Sequence, residues 1–113
     1  MKISKIIYFF WLTIFLIVVS TSSHSNNHNK LENVYEHLRN KQFTKAINKL
    51  RDLSENNKPE AQLLFAKILY SGEITTQDFE MSYFWANTSK LGGLKKSSII
   101  INKLTDLIDE ENK

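Results

Sequence analysis

The chain has 113 residues, 42% hydrophobic and 24% charged, with three Gly, one Pro and no Cys; that suffices for one small domain and excludes a multidomain enzyme. Fifteen basic and 12 acidic residues give a formal charge of +3, but without Lys2 and Lys5, which lie in a segment that reads as removable, the balance is 13 against 12, an argument against nucleic acid or an anionic membrane surface as partner. The lack of cysteine excludes a disulfide framework, a thiol nucleophile and a thiolate zinc site.

Residues 1–5 carry two lysines, Ile6 to Val19 is apolar except for Thr13, and residues 20–25 are small and polar. This is the layout of a secretory signal peptide, placed at residues 1–22. The apolar run makes about 21 Å of helix against a hydrocarbon core of about 30 Å, which favours a cleaved signal and an exported product, periplasmic or extracellular. The alternative is an uncleaved anchor formed by residues 6–19, since no Ala-x-Ala site is present; it would be the chain's one link to a membrane. Residues 23–30 bury too little to offset the entropy of ordering them and read as a flexible polar spacer. His24 and His28 stand four apart within it, but with no third ligand and poor helix formers around them they read as solvated.

From residue 31 onward, apolar side chains recur at helical spacing with hardly any alternation, which makes the mature chain all-α. Leu31, Val34, Tyr35 and Leu38 form one stripe, and Phe43, Ala46, Ile47, Leu50 and Leu53 the next. The short link Asn40-Lys41-Gln42 folds these helices, near 31–40 and 42–56, into an antiparallel pair. Asn56-Asn57 can turn left-handed past a helix end, and Pro59 has its φ preset for a first helical position. A third helix is predicted over 59–71, with Ala61, Leu64, Phe65, Ile68 and Leu69 as its core stripe and Gly72 as its end.

Thr75 and Asp78 have capping-box spacing, so a fourth helix is predicted from about 77 to 91. Phe79, Met81, Tyr83, Phe84, Trp85 and Ala86 cover most of its circumference, which predicts covering on more than one side and places Phe84 and Trp85 in the core. Ser97, Ile100, Ile101, Leu104, Leu107 and Ile108 predict a fifth helix over 94–108, with Ile99 off the stripe. Acidic residues at 109–111 oppose the dipole there and should fray.

Within residues 59–93 stand Ala61-Gln62, Phe65-Ala66, Tyr70-Ser71-Gly72, Asp78-Phe79, Trp85-Ala86 and Gly93. This stretch resembles one Sel-1-like repeat, of the tetratricopeptide-like helical-repeat superfamily, through both helices and both turns. The departures are Ala66 at the family's Gly, Ser82 and Ser89 at alanines, Lys90 at the second paired alanine, and Ile74 at a loop Gly. Small-for-small changes keep a close helix crossing. Ile74 resists positive φ, so the loop 73–76 should take another course, and Lys90 implies a less covered side of the fourth helix. Residues 31–57 resemble a degenerate pair of the same superfamily, and residues 94–113 are then a capping helix and tail. The implied architecture is a short α-solenoid of antiparallel pairs whose first helices line a concave groove. That makes Leu63, Lys67 and Tyr70, on the side of the third helix away from its stripe, the expected partner-binding residues.

Catalytic chemistry finds little support. His37 is the sole candidate base on the helices and sits at a stripe edge. Asp106, Asp109, Glu110 and Glu111 lack the glycine turn of a calcium loop and read as a solvated tail. The run Gly92 to Ser97 lacks the residue order and the preceding strand of a phosphate loop and reads as a helix cap. Asn87-Thr88-Ser89 matches a glycosylation acceptor in mid-helix, a chance match. No catalytic residue, metal site or cofactor is expected. The resemblance implies an adaptor or scaffold with a protein or peptide partner and no nucleic acid; the alternatives are a small hydrolase of envelope polymer or an antibiotic, or a purely structural subunit.

Overall fold

A computed structural model describes residues 29–111. The signal peptide or anchor at 1–22 and His24 and His28 of the spacer lie outside the described residues. By its contacts the chain divides into residues 1–32 and 33–113. Of the first unit, 29–32 are described and are helical, so helix is already present at 29 and 30, the last positions given to the spacer. The helical stretch 29–39 is α1. The second unit continues with α2 (Phe43–Glu55), α3 (Pro59–Ser71), α4 (Phe79–Leu91), a 3-10 turn (Lys95–Ser97) and α5 (Ser98–Glu111). No strand occurs among the described residues, and the all-α expectation holds. Packing joins neighbours in sequence: α2 on α3, α3 on α4, and α4 on both α5 and the 3-10 turn.

Three of the turns close in the same way. Gln42 N–H donates to the His37 carbonyl (2.8 Å) and Lys41 N–H to that of Leu38 (3.1 Å). The same pair of bonds runs from Lys58 to Leu53 and Asn57 to Ser54, and from Leu94 to Ser89 and Gly93 to Lys90. Each satisfies carbonyls that a helix end leaves open, and each needs a left-handed residue at the bend. That residue is Lys41 (φ 56°), Asn57 (φ 57°) or Gly93 (φ 104°). Asn57 is one of the asparagines the sequence offers for this role. Lys41 is not predicted, because a side chain with a Cβ loses about 1–2 kcal/mol in that conformation. Gly72 ends α3 at φ 67° as expected, and a Cβ there would lie 2.7 Å from that of Gln77.

Two element ends differ from the sequence-based expectation. Asp78, not a threonine, caps α4: its backbone is extended (φ −145°), and its carboxylate accepts from Met81 N–H at 2.9 Å. An extended aspartate can place its oxygen over the unpaired N–H groups of the first turn, so no capping box is needed. The fifth helix begins after the 3-10 turn and runs to Glu111, past the predicted 108. The dipole penalty, about 0.3–1 kcal/mol per exposed charge at low ionic strength and screened by salt, is too small to end the helix before these residues.

The core identifies α3 as the central helix. Ala61, Leu63, Phe65, Ala66, Ile68 and Leu69 are each at most 8% exposed, so α3 is covered around most of its circumference. By contrast α4 buries Ser82, Trp85, Ala86 and Ser89 and leaves Phe79, Met81, Tyr83 and Phe84 between 40% and 53% exposed. The expectation that α4 is covered from more than one side holds, since α3, α5 and the 3-10 turn all pack on it, but the expectation that this covering reaches most of its circumference, with Phe84 in the core, is corrected. Trp85 does enter the core, its ring 5.8 Å from that of Phe65. The reason is helical phase: α4 meets α3 through its small residues, and at about 100° per residue Phe84 points roughly away from them.

Polar ties fix these contacts. Ser82 Oγ donates to the Ala66 carbonyl at 2.7 Å, and Ser89 Oγ donates to that of Pro59 at 2.7 Å. Ser97 Oγ lies 2.8 Å from Ser89 Oγ; since the Ser89 proton is already given to Pro59, Ser97 must be the donor. Gln62 Nε2 donates to the Ser54 carbonyl at 3.0 Å and ties α3 to α2. Ser82 and Ser89 are thus more than small residues: each hydroxyl joins two elements. Close approach is also visible at Gly92, where a Cβ would lie 2.8 Å from Pro59 Cγ.

Candidate functional site

The sector of α3 left uncovered by α2 and α4 contains Leu63, Lys67 and Tyr70, and all three line one groove of about 260 Å³. Spacing i, i+4, i+7 explains why one helix presents them together. Lys67 is exposed and Tyr70 half-buried. Leu63 is only 5% exposed, which corrects its placement on a face turned away from the core: it belongs to the core and to the groove at once. The opposite wall is Lys96 of the 3-10 turn with Ile99, Ile100 and Lys103 of α5. No acidic residue lines the groove, and none of its three lysines has a carboxylate partner among the described residues.

A second hollow, of about 500 Å³, opens between the start of α4 and the end of α5. Phe79 and Tyr83 form one side, and Leu104, Leu107 and Ile108 the other; Glu80 and Glu110 are its charged lining residues. The two hollows adjoin, because Tyr70 of the first and Phe79 of the second are in ring contact, with centroids 5.7 Å apart and planes at 47°. Gln77 Nε2 donates to the Tyr70 carbonyl at 2.8 Å, holding the loop beneath that contact.

Half of this surface escaped sequence reasoning, namely the wall from Lys96 to Lys103 and the aromatic end at Phe79 and Tyr83. One signal was visible: Ile99 fits no core stripe, and it is 65% exposed. The other candidates are placed as follows. His37 Nδ1 donates to Gln42 Oε1 at 2.8 Å, at the turn between α1 and α2. Asn87 and Thr88 of the glycosylation triplet donate to carbonyls of their own helix, those of Tyr83 and Phe84. Among the described residues, no three His, Asp or Glu side chains gather as a metal site, and no helix is long and apolar enough to cross a membrane. Trp85 Nε1 is buried without a hydrogen-bond partner among the described residues.

Comparison with protein-family models, with curated proteins and with solved structures gives no match. The class that the fold defines is an all-α protein of sequentially packed helices, and a helical-repeat fold is consistent with that packing.

Proposed function

We propose that the chain is an exported helical-repeat adaptor that binds a protein or peptide segment in the groove between α3 and α5, without catalysing a reaction. The observation that carries this is the convergence of Leu63, Lys67 and Tyr70 on one groove whose far wall adds two isoleucines and two lysines. Apolar floor, aromatic flank and cations that find no carboxylate among the described residues suit recognition of a chain with mixed side chains better than any single chemical step. The narrower assignment to the Sel-1-like repeats draws support from the hydrogen-bonded crossing of Ala66 with Ser82, the left-handed Gly72, and the close approach of Gly92 to Pro59. Export rests on the pattern of residues 1–22 alone.

Replacing Lys67 and Tyr70 with alanine tests the reading. Helicity by circular dichroism should be unchanged, and the partner recovered by the native chain from an envelope extract, identified by mass spectrometry, should be lost. Equal recovery by the double variant would remove the groove from the proposal. The mass of the processed protein tests export: loss of residues 1–22 supports the signal, and an intact chain in the membrane fraction supports the anchor.

A further inference from the structure

The two adjoining hollows differ in chemistry along one direction. From Lys96 of the 3-10 turn to Glu110 of α5 the flank runs about 21 Å, at roughly 1.5 Å per residue. The first half faces Lys67 and Tyr70 and carries Lys96 and Lys103, with no acid in the lining. The second half is apolar and aromatic, and its charged members are Glu80 and Glu110. An extended chain advances about 3.3 Å per residue, so the track accommodates roughly six residues.

We infer that the two hollows form one polar-to-apolar track, whose occupant is an extended peptide with carboxylates at one end and apolar or aromatic side chains at the other. This rests on the adaptor reading and names its partner class. Three arguments favour it. Lysines in a groove with no acid in its lining and no carboxylate partner among the described residues gain most from an anion that comes from the partner. Glu80 and Glu110 repel the same anion from the far end, which fixes the direction in which the peptide lies. The apolar surface at that end, where Phe79 is 42% and Tyr83 41% exposed, gains by covering, and the ring contact of Tyr70 with Phe79 joins the lining of one half to that of the other. A nucleic acid or an anionic membrane surface would set phosphates along the whole track, against the two glutamates, and neither accounts for the aromatic half.

The test uses the full chain in mild detergent and three fluorescein-labelled peptides: one with aspartates in its first half and leucine and phenylalanine in its second, its asparagine counterpart, and the same composition with aspartates and apolar residues alternating. Fluorescence anisotropy should rank the block aspartate peptide first, with affinity falling as salt rises. The double variant Lys67→Glu, Lys103→Glu should weaken that peptide about tenfold and leave the asparagine peptide unchanged. Tyr83→Ser should weaken both. Equal binding of the aspartate and asparagine peptides, or equal binding of the alternating one, overturns the acidic or the directional part and leaves the adaptor reading standing. Stronger binding to labelled single-stranded oligonucleotide or to anionic vesicles than to any peptide overturns both. Circular dichroism of each variant confirms that these exposed changes leave the helices in place.

Discussion

The helices α3 and α4 are adjacent, equal in length at 13 residues, and rich in apolar side chains, yet one is buried nearly all round and the other exposes three of its four aromatics. Hydrophobic content does not separate them, since α4 holds four aromatic rings and α3 two. Size at the crossing does. Ala61 and Ala66 on α3, and Ser82, Ala86 and Ser89 on α4, are at most 1% exposed; they let the two backbones approach, and the hydroxyls join them by direct bonds. With α2 packed on it as well, α3 becomes the middle layer. The small residues of α4 occupy a single side, so of its large residues Trp85 beside them is buried, while Phe79, Met81, Tyr83 and Phe84 are left about half exposed. Where the small side chains fall around a helix decides which element lies in the middle.

The largest effect comes from deleting a ring from each helix in turn. Phe65→Ala should cost about 3–5 kcal/mol, the range for a buried phenylalanine. Phe84→Ala should cost about 1 kcal/mol, chiefly its edge contact with Trp85, where centroids are 5.0 Å apart. Urea denaturation of the full chain reads both. Equal losses would show that the outer side of α4 is covered, and the contrast between the helices would fail.

Next comes the hydroxyl chain from Ser97 through Ser89 to the Pro59 carbonyl. Ser89→Ala removes both hydrogen bonds and leaves the fully buried Ser97 hydroxyl without its acceptor, an expected loss of about 2–3 kcal/mol. Adding Ser97→Ala should restore part of that, because the orphaned group goes with it. The double-mutant cycle measures the coupling, and strictly additive losses would show that the two hydroxyls do not act together.

The helices and most of their ends were legible because their signals are local. Pro59 at the first position of α3, Gly72 at its end and Asn57 at the preceding bend each follow from the conformation that one residue type favours. The middle position of α3 was not legible. The aromatics of α4 dominate any count of apolar residues, and serines read as mere small spacers until their acceptors are known. The site divides in the same way. Leu63, Lys67 and Tyr70 share a face by helical arithmetic within one element. Lys96, Ile99 and Lys103 join them only because the 3-10 turn sets where α5 lies, which is a tertiary fact. Tyr83 and Phe79 were assigned to covering for the reason that misplaced Phe84.

A smaller effect, of opposite sign, lies at the bends. Lys41→Gly should stabilise the chain by about 1 kcal/mol, since glycine adopts φ 56° without the Cβ penalty. Asn57→Gly should give only a few tenths, about what is left to gain when asparagine already tolerates that conformation. A loss at Lys41 would mean that its side chain makes a contact worth more than the strain it bears.

The smallest effect bears most directly on whether α4 is open. Leu91, the last residue of α4, is 88% exposed. Leu91→Gln removes almost no buried surface and should change stability by less than about 0.5 kcal/mol. It should also leave the molecular mass in light scattering unchanged. A substitution that costs several times more, or that shifts the protein to a smaller species, would mean that another chain lies on α4 in solution. The two helices would then differ in what covers them and no longer in whether they are covered. The small-residue argument would still explain why α4 sits against α3, because those contacts involve Ala66, Ser82 and Ser89 and are independent of Leu91.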